Sequence, residues 1–168
     1  MDQYVKAPIM ENSLQRFIDA QNLYGDYDRA REEMTEGRKT SHWIWYVFPQ
    51  IQGLGRSPNA RYYALDSLEE AERYLNDPVL GACLREMTNI VLGHKDKAID
   101  EIMGSGIDVR KFRSSMTLFD LVSPGDLFGE ALDVFFNGER DARTLALVQQ
   151  QDIYSRPSSS GGLVWKSY

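Results

Sequence analysis

Cysteine is almost absent from this sequence. Cys83 is the one thiol in 168 residues, so an intrachain disulfide is excluded and a reducing compartment is expected. Histidine is nearly as scarce. His42 and His94 stand far apart, and no Cys/His or Asp/Glu spacing resembles a metal site. No apolar run approaches the roughly 20 residues that span a bilayer. The first residues carry acids and polar groups where a signal peptide has a basic and then an apolar region. Positive charge is in deficit, with 19 Lys and Arg against 25 Asp and Glu and a formal net charge of -6. That balance gives no bulk attraction to nucleic acid or to an anionic membrane. Gly53 and Gly55 lack the third glycine and the strand-helix setting of a dinucleotide fingerprint. No Gly-x-Ser-x-Gly or Ser/His/Asp arrangement supports a serine nucleophile. The expectation is a cytoplasmic protein with no metal, cofactor, nucleic-acid or membrane partner; a protein partner is not specified.

What is present is ordinary globular material: 42% hydrophobic and 26% charged residues, enough for one domain with a sizeable core. Residues 1–12 contain Pro8 and show no period, so a loose arm is expected there. Helical signals begin at Ser13, with Leu14, Phe17, Ile18 and Gln21 on one face. Gly25 breaks the pattern, and Asp26 opens a second helix ending at Gly37, with Arg29, Glu32, Glu33 and Glu36 on its solvated side. Ser67 and Glu70 match a capping box. Asp77 and Pro78 start a helix through Leu80, Leu84, Met87 and Val91. Asp96 opens a short helix closed by Gly104, Asp108 caps one bearing Phe112, Met116 and Phe119, and Ser123 to Asp126 begin another. Asp141 begins a last helix, and residues 153–168 read as a flexible tail. No internal repeat or linker interrupts the series. The spacing predicts an all-α compact single domain over 13–152, of about seven or eight short helices, with at most one small strand pair.

Two stretches concentrate chemistry. In the first, Arg38, Lys39, Ser41 and His42 lead into Trp43-Ile44-Trp45-Tyr46-Val47-Phe48, followed by Pro49 and Gln50. Every position from 43 to 48 is apolar, so periodicity does not decide between strand and helix. In the second, Lys111, Arg113, Ser114, Ser115 and Thr117 flank the Phe112/Met116/Phe119 stripe. Polar groups at the mouth of an aromatic wall are one way to build a small-ligand pocket. Lys39, Arg61, Lys111 and Arg113 would hold a phosphate or carboxylate, with Ser41, Gln50 and Ser114 as further polar contacts. Trp43 and Trp45 would form the aromatic floor, and His42 is the candidate for proton transfer. The ligand expected is a small anion such as a nucleotide or an ADP-ribose-like compound, with a phosphoryl or glycosidic bond as the target if hydrolysis follows. The alternative is a non-enzymatic protein-interaction module in which the same residues serve the core and its surface ion pairs.

The two stretches resemble a known family. Gly37-Arg38-Lys39-x-Ser41-His42-Trp43-x-Trp45-x-x-Phe48-Pro49-Gln50-Ile51, with Gly53-Leu54-Gly55 behind it, is similar to the signature of domain-of-unknown-function family eighteen-ten, whose bacterial members are often labelled "calpastatin". Lys111-Phe112-Arg113-Ser114-Ser115-Met116-Thr117-Leu118-Phe119, Pro78-Val79-Leu80-Gly81 and Leu14-x-Arg16-Phe17-x-x-Ala20-Gln21 agree, and the similarity covers roughly residues 13 to 150. The resemblance implies a compact, mainly α-helical, soluble bacterial-type protein and supplies no established reaction. Calpain inhibitors are long, disordered, repeat-containing chains, so that activity is not carried over to a globular composition without repeats.

Overall fold

The computed structural model describes residues 14–155. The expected arm over residues 1–12 lies outside them, as does the part of the expected 153–168 tail from residue 156 on; residues 153–155 belong to the last helix. The architecture is all-α, as the spacing predicts. Helix α1 (Gln15–Asn22) passes through a 3-10 turn (Leu23–Gly25) into α2 (Asp26–Glu36). After it come α3 (Ile44–Val47), α4 (Pro58–Tyr62), α5 (Leu68–Asn76), α6 (Leu80–Leu92), α7 (Ile99–Met103), α8 (Gly106–Val122), α9 (Leu127–Phe136) and α10 (Ala142–Ser155). Among the described residues the strand content is one isolated parallel bridge, Ile51 to Leu65.

Local chemistry explains most of the helix ends. The Ser67 hydroxyl accepts from the Glu70 N–H, and Glu70 reaches back to the N–H of Asp66, the residue before the cap, a variant of the capping box. Asp77 accepts from the N–H groups of Val79 and Leu80. Helix α8 starts two to three residues earlier than its apolar stripe suggests. Ser105, not Asp108, is the cap, accepting from the Asp108 N–H, and Asp108 is left free for another task. The segment from Trp43 to Phe48 resolves as a single helical turn, buried at Ile44, Tyr46 and Val47.

Helix α8 is the axis of the packing. From Phe112 to Phe119 every residue but Arg113 is buried. It contacts α3, α5, α7, α9 and α10. Phe112 meets Phe48 edge-on, with ring centroids 5.0 Å apart, and Phe119 packs on Tyr74 and Phe128. The aromatic wall of the first stretch is therefore joined to the stripe of the second through the core. Burial of such rings supplies about 1.5–3 kcal/mol each.

Between α5 and α6 the chain turns so tightly that a Cβ on Gly81 would stand 2.0 Å from the Leu75 carbonyl oxygen. Helix propensity alone favours Gly→Ala by up to ~1 kcal/mol. Here the backbone contact reverses the sign. Gly81→Ala is expected to destabilise the domain by about 1–3 kcal/mol, read as a lower urea midpoint at unchanged slope. A midpoint equal to or above that of the parent chain contradicts this packing.

Candidate functional site

The first stretch is positioned by a carboxylate from the helix before it. Gly37 ends α2 in the left-handed region, at φ 82°, and turns the chain back along the helix. Glu33 then accepts from the N–H of Thr40 at 2.8 Å, the N–H of Ser41 at 3.1 Å, the Ser41 hydroxyl, and the Trp43 indole N–H at 2.8 Å. Burial alone would raise the Glu33 pKa. The Ser41 hydroxyl, the two backbone N–H groups and the Trp43 indole outweigh it and hold the carboxyl at about 2. Glu33 is thus a brace and not part of a solvated face. At the same helix end, His94 Nε2 lies 2.8 Å from the Met34 carbonyl, and the Lys97 amine donates to the Gly37 carbonyl at 2.8 Å. Donors at a helix C-terminus are favourably placed against its dipole.

Lys39 is buried, with its side chain 5% exposed, and it is the hinge between the two stretches. Its N–H donates to the Ile102 carbonyl at 2.8 Å. Its amine donates to the Ser41 carbonyl at 2.6 Å and pairs with Asp108 at 2.7 Å. The same amine lies 4.9 Å from the centroid of the Trp43 ring. One turn along α8 from Asp108, the Lys111 amine sits over Trp45, 5.0 Å from its centroid. Burial lowers the Lys111 pKa; Asp108 opposes that shift and Lys39 adds to it.

From Lys111 outward, a groove of about 210 Å³ opens between three elements. Ile107, Arg110, Lys111 and Ser114 supply one wall, at i, i+3, i+4 and i+7 of α8. Gln50, Leu54 and Gly55 supply the second, on a loop held by the Ile51–Leu65 bridge. Gly55 is required there, because a Cβ would meet that of Ala60 at 2.5 Å. Asp141 and Arg143 close the third side at the start of α10. Asp141 is engaged as a cap, accepting from the Thr144 N–H and hydroxyl. Arg143 donates to the Gly53 carbonyl at 3.2 Å. Ser114 is only 5% exposed, lines the groove, and its hydroxyl has no hydrogen-bond partner among the described residues.

Of the residues singled out from the sequence, the groove gathers Gln50, Lys111 and Ser114. Lys39, Ser41, Trp43 and Trp45 are linked to it through the Lys39–Asp108 pair and the Lys111–Trp45 contact. Trp43 is 1% exposed, so its faces are held by the core. His42 and Arg61 are exposed and are not among the lining side chains. Arg113 turns to the Glu139 and Arg140 carbonyls and stacks over Phe136. Arg110, Arg143 and Ile107 were missed. The α8 residues follow a helical spacing that a second reading of that face would find; Arg143 depends on tertiary packing. A larger hollow of about 530 Å³ runs along α2, but it is open surface whose arginines pair with Asp26, Asp28 and Glu86.

The fold and groove define a helical domain with a small cationic groove at the rim of its core. Residues 11–148 match the family described as a protein of unknown function (DUF1810), and the chain belongs to that family. A crystal structure of the conserved hypothetical protein Rv1873 from Mycobacterium tuberculosis is similar at 42% identity and a TM-score of 0.77, covering 81% of this chain and 96% of that one. Among curated proteins, none matches.

The brace yields a pH-dependent prediction. A carboxyl held at about 2 against an ordinary 4.5 contributes stability that is complete above about pH 4.5 and is lost as the pH falls toward 2. Glu33→Gln is expected to cost about 1–3 kcal/mol at neutral pH, because a donor amide replaces an acceptor facing four donors. The gap to the parent chain should narrow below about pH 4 in urea titrations. A gap independent of pH would mean that the charge on Glu33 is not what holds the stretch.

Proposed function

We propose that the groove binds the anionic part of a small ligand, such as a nucleotide or an ADP-ribose-like compound. One observation carries the reading. Arg110, Lys111 and Arg143 converge on one hollow, and among the described residues none of the three has an ion-pair partner. In a chain with net charge -6, acids are in excess, so cations left unpaired around a concavity are disposed for an outside anion. Two guanidinium groups and an ammonium suit phosphate or carboxylate oxygens, and the Ser114 hydroxyl adds a short donor. The volume is below the roughly 300–1,000 Å³ of a full ligand site, so the groove takes the charged end and leaves the remainder on the rim formed by Leu54 and Ile107. His42 stands outside this lining, and the reading is one of binding.

The interaction-module alternative rests on exposed apolar side chains remote from these cations, among them Leu23 at 55%, Tyr24 at 83% and Val79 at 51%. A thermal-shift screen against nucleotides, ADP-ribose, sugar phosphates and inorganic phosphate separates the two. A ligand at 100 times its dissociation constant adds about 2.7 kcal/mol, a rise of roughly 5–10 °C for a domain of this size. The rise should vanish in Arg110→Ala/Arg143→Ala and persist in His42→Ala. Absence of a shift with every compound, in a folded parent chain, refutes the groove reading and favours a protein partner.

A further inference from the structure

We propose that Lys111 is a carbonyl-reactive amine, and that the ligand class of the groove is an anionic aldehyde or ketone held as an imine. This rests on the anion-binding reading and names the chemistry that follows it. Three features of the geometry support it. Lys111 is one of the residues that line the groove. Its nearest helical carboxylate, Asp108, is already committed to Lys39 at 2.7 Å, so Lys111 has no ion-pair partner among the described residues. It also lies against the face of Trp45 and is partly removed from water. A lysine partly removed from water without a carboxylate of its own is an arrangement that makes the neutral amine accessible as a nucleophile. The depressed Lys111 pKa, caused by burial, opposed by Asp108 and helped by a smaller push from Lys39, agrees.

The step balances without a further reagent. The neutral Nζ attacks the carbonyl carbon, one of its protons passes to the carbonyl oxygen to give the carbinolamine, and the hydroxyl then departs with the second nitrogen proton as water to leave the C=N bond. Arg110 and Arg143 hold the carboxylate or phosphate of the same molecule. Ser114, one turn beyond Lys111 on the same face of α8, offers its unpartnered hydroxyl to the carbonyl oxygen as charge builds on it. An oxo acid and the open form of a sugar phosphate share this chemistry and differ in reach.

The test is reductive trapping. The full chain is incubated with sodium cyanoborohydride and either glyoxylate, pyruvate or ribose 5-phosphate, and adducts are mapped by peptide mass spectrometry. Lys95, which is exposed, serves as the internal reference. Lys111 is expected to label at least about tenfold faster than Lys95, with a rate that levels off at a lower pH. Excess inorganic phosphate should suppress labelling at Lys111 and leave Lys95 untouched. Lys111→Arg should abolish the fast adduct and leave labelling of Lys95 unchanged. The oxo acids or the sugar phosphate, whichever labels faster, identifies the source. Labelling of Lys111 at or below the Lys95 rate overturns the proposal. If phosphate still stabilises the protein in that case, the imine fails and the anion site stands. If phosphate has no effect either, both fail.

Discussion

Burying one charge, that of Lys39, constrains the rest of this structure. An ammonium 5% exposed beneath a tryptophan face is tolerable only with a counter-ion and filled donor positions, and Asp108 with the Ser41 carbonyl meets that need. The counter-ion comes from α8 and the lysine from the segment after α2. Holding the pair therefore holds the two chemically rich stretches against each other. It also commits the closest contact of Asp108 to Lys39. Lys111, one turn along, is left facing the groove without a carboxylate of its own, and the outward polarity of the groove follows from an internal necessity of the core.

A second carboxylate does comparable service on the other side. Glu33 gathers the donors of Thr40, Ser41 and Trp43, so the chain between Gly37 and Trp43 needs no regular secondary structure to be fixed. With its backbone held this way, Lys39 reaches Asp108 and Trp43 enters the core in one orientation. Phe48 then meets Phe112. The aromatic concentration is explained chiefly by this packing, and the cationic concentration divides into buried Lys39, structural Arg113 and the groove-facing Lys111.

Most helices were legible where a cap accompanies an apolar period, although the caps expected at Asp96 and Asp108 are displaced to Ala98 and Ser105. Ser67 with Glu70, Asp77 with Pro78 and Asp126 all sit where the local pattern places them. Between 43 and 48 that reasoning runs out, because a segment buried on several sides has no periodic contrast; only the tertiary setting selects one helical turn. Glu33 was illegible for a different reason. Its helical neighbours are solvated, and the partners that bury it lie beyond the C-terminus, where the chain folds back. On α8, the stripe Phe112, Met116 and Phe119 drew attention to the core side. The stripe Ile107, Arg110, Lys111 and Ser114 obeys the same spacing and was open to the same reading. Asp141 and Arg143 were not, since their arrival beside α8 depends on where α10 packs.

The unpaired cations of the groove have an energetic direction. Like charges brought to one hollow repel, and partial burial of Lys111 strengthens that repulsion. A surface with more acids than bases could relieve this with a carboxylate at the rim. Asp141 is the carboxylate present, and its Oδ2 caps α10 through both donors of Thr144. The groove therefore retains an excess of positive charge that an entering anion would neutralise. Burial chiefly disfavours the ammonium form of Lys111, with Asp108 opposing and Lys39 adding a smaller push, so the proposed reactivity of the amine comes from its partial removal from water and the proposed anion affinity from the unpaired cations of the groove.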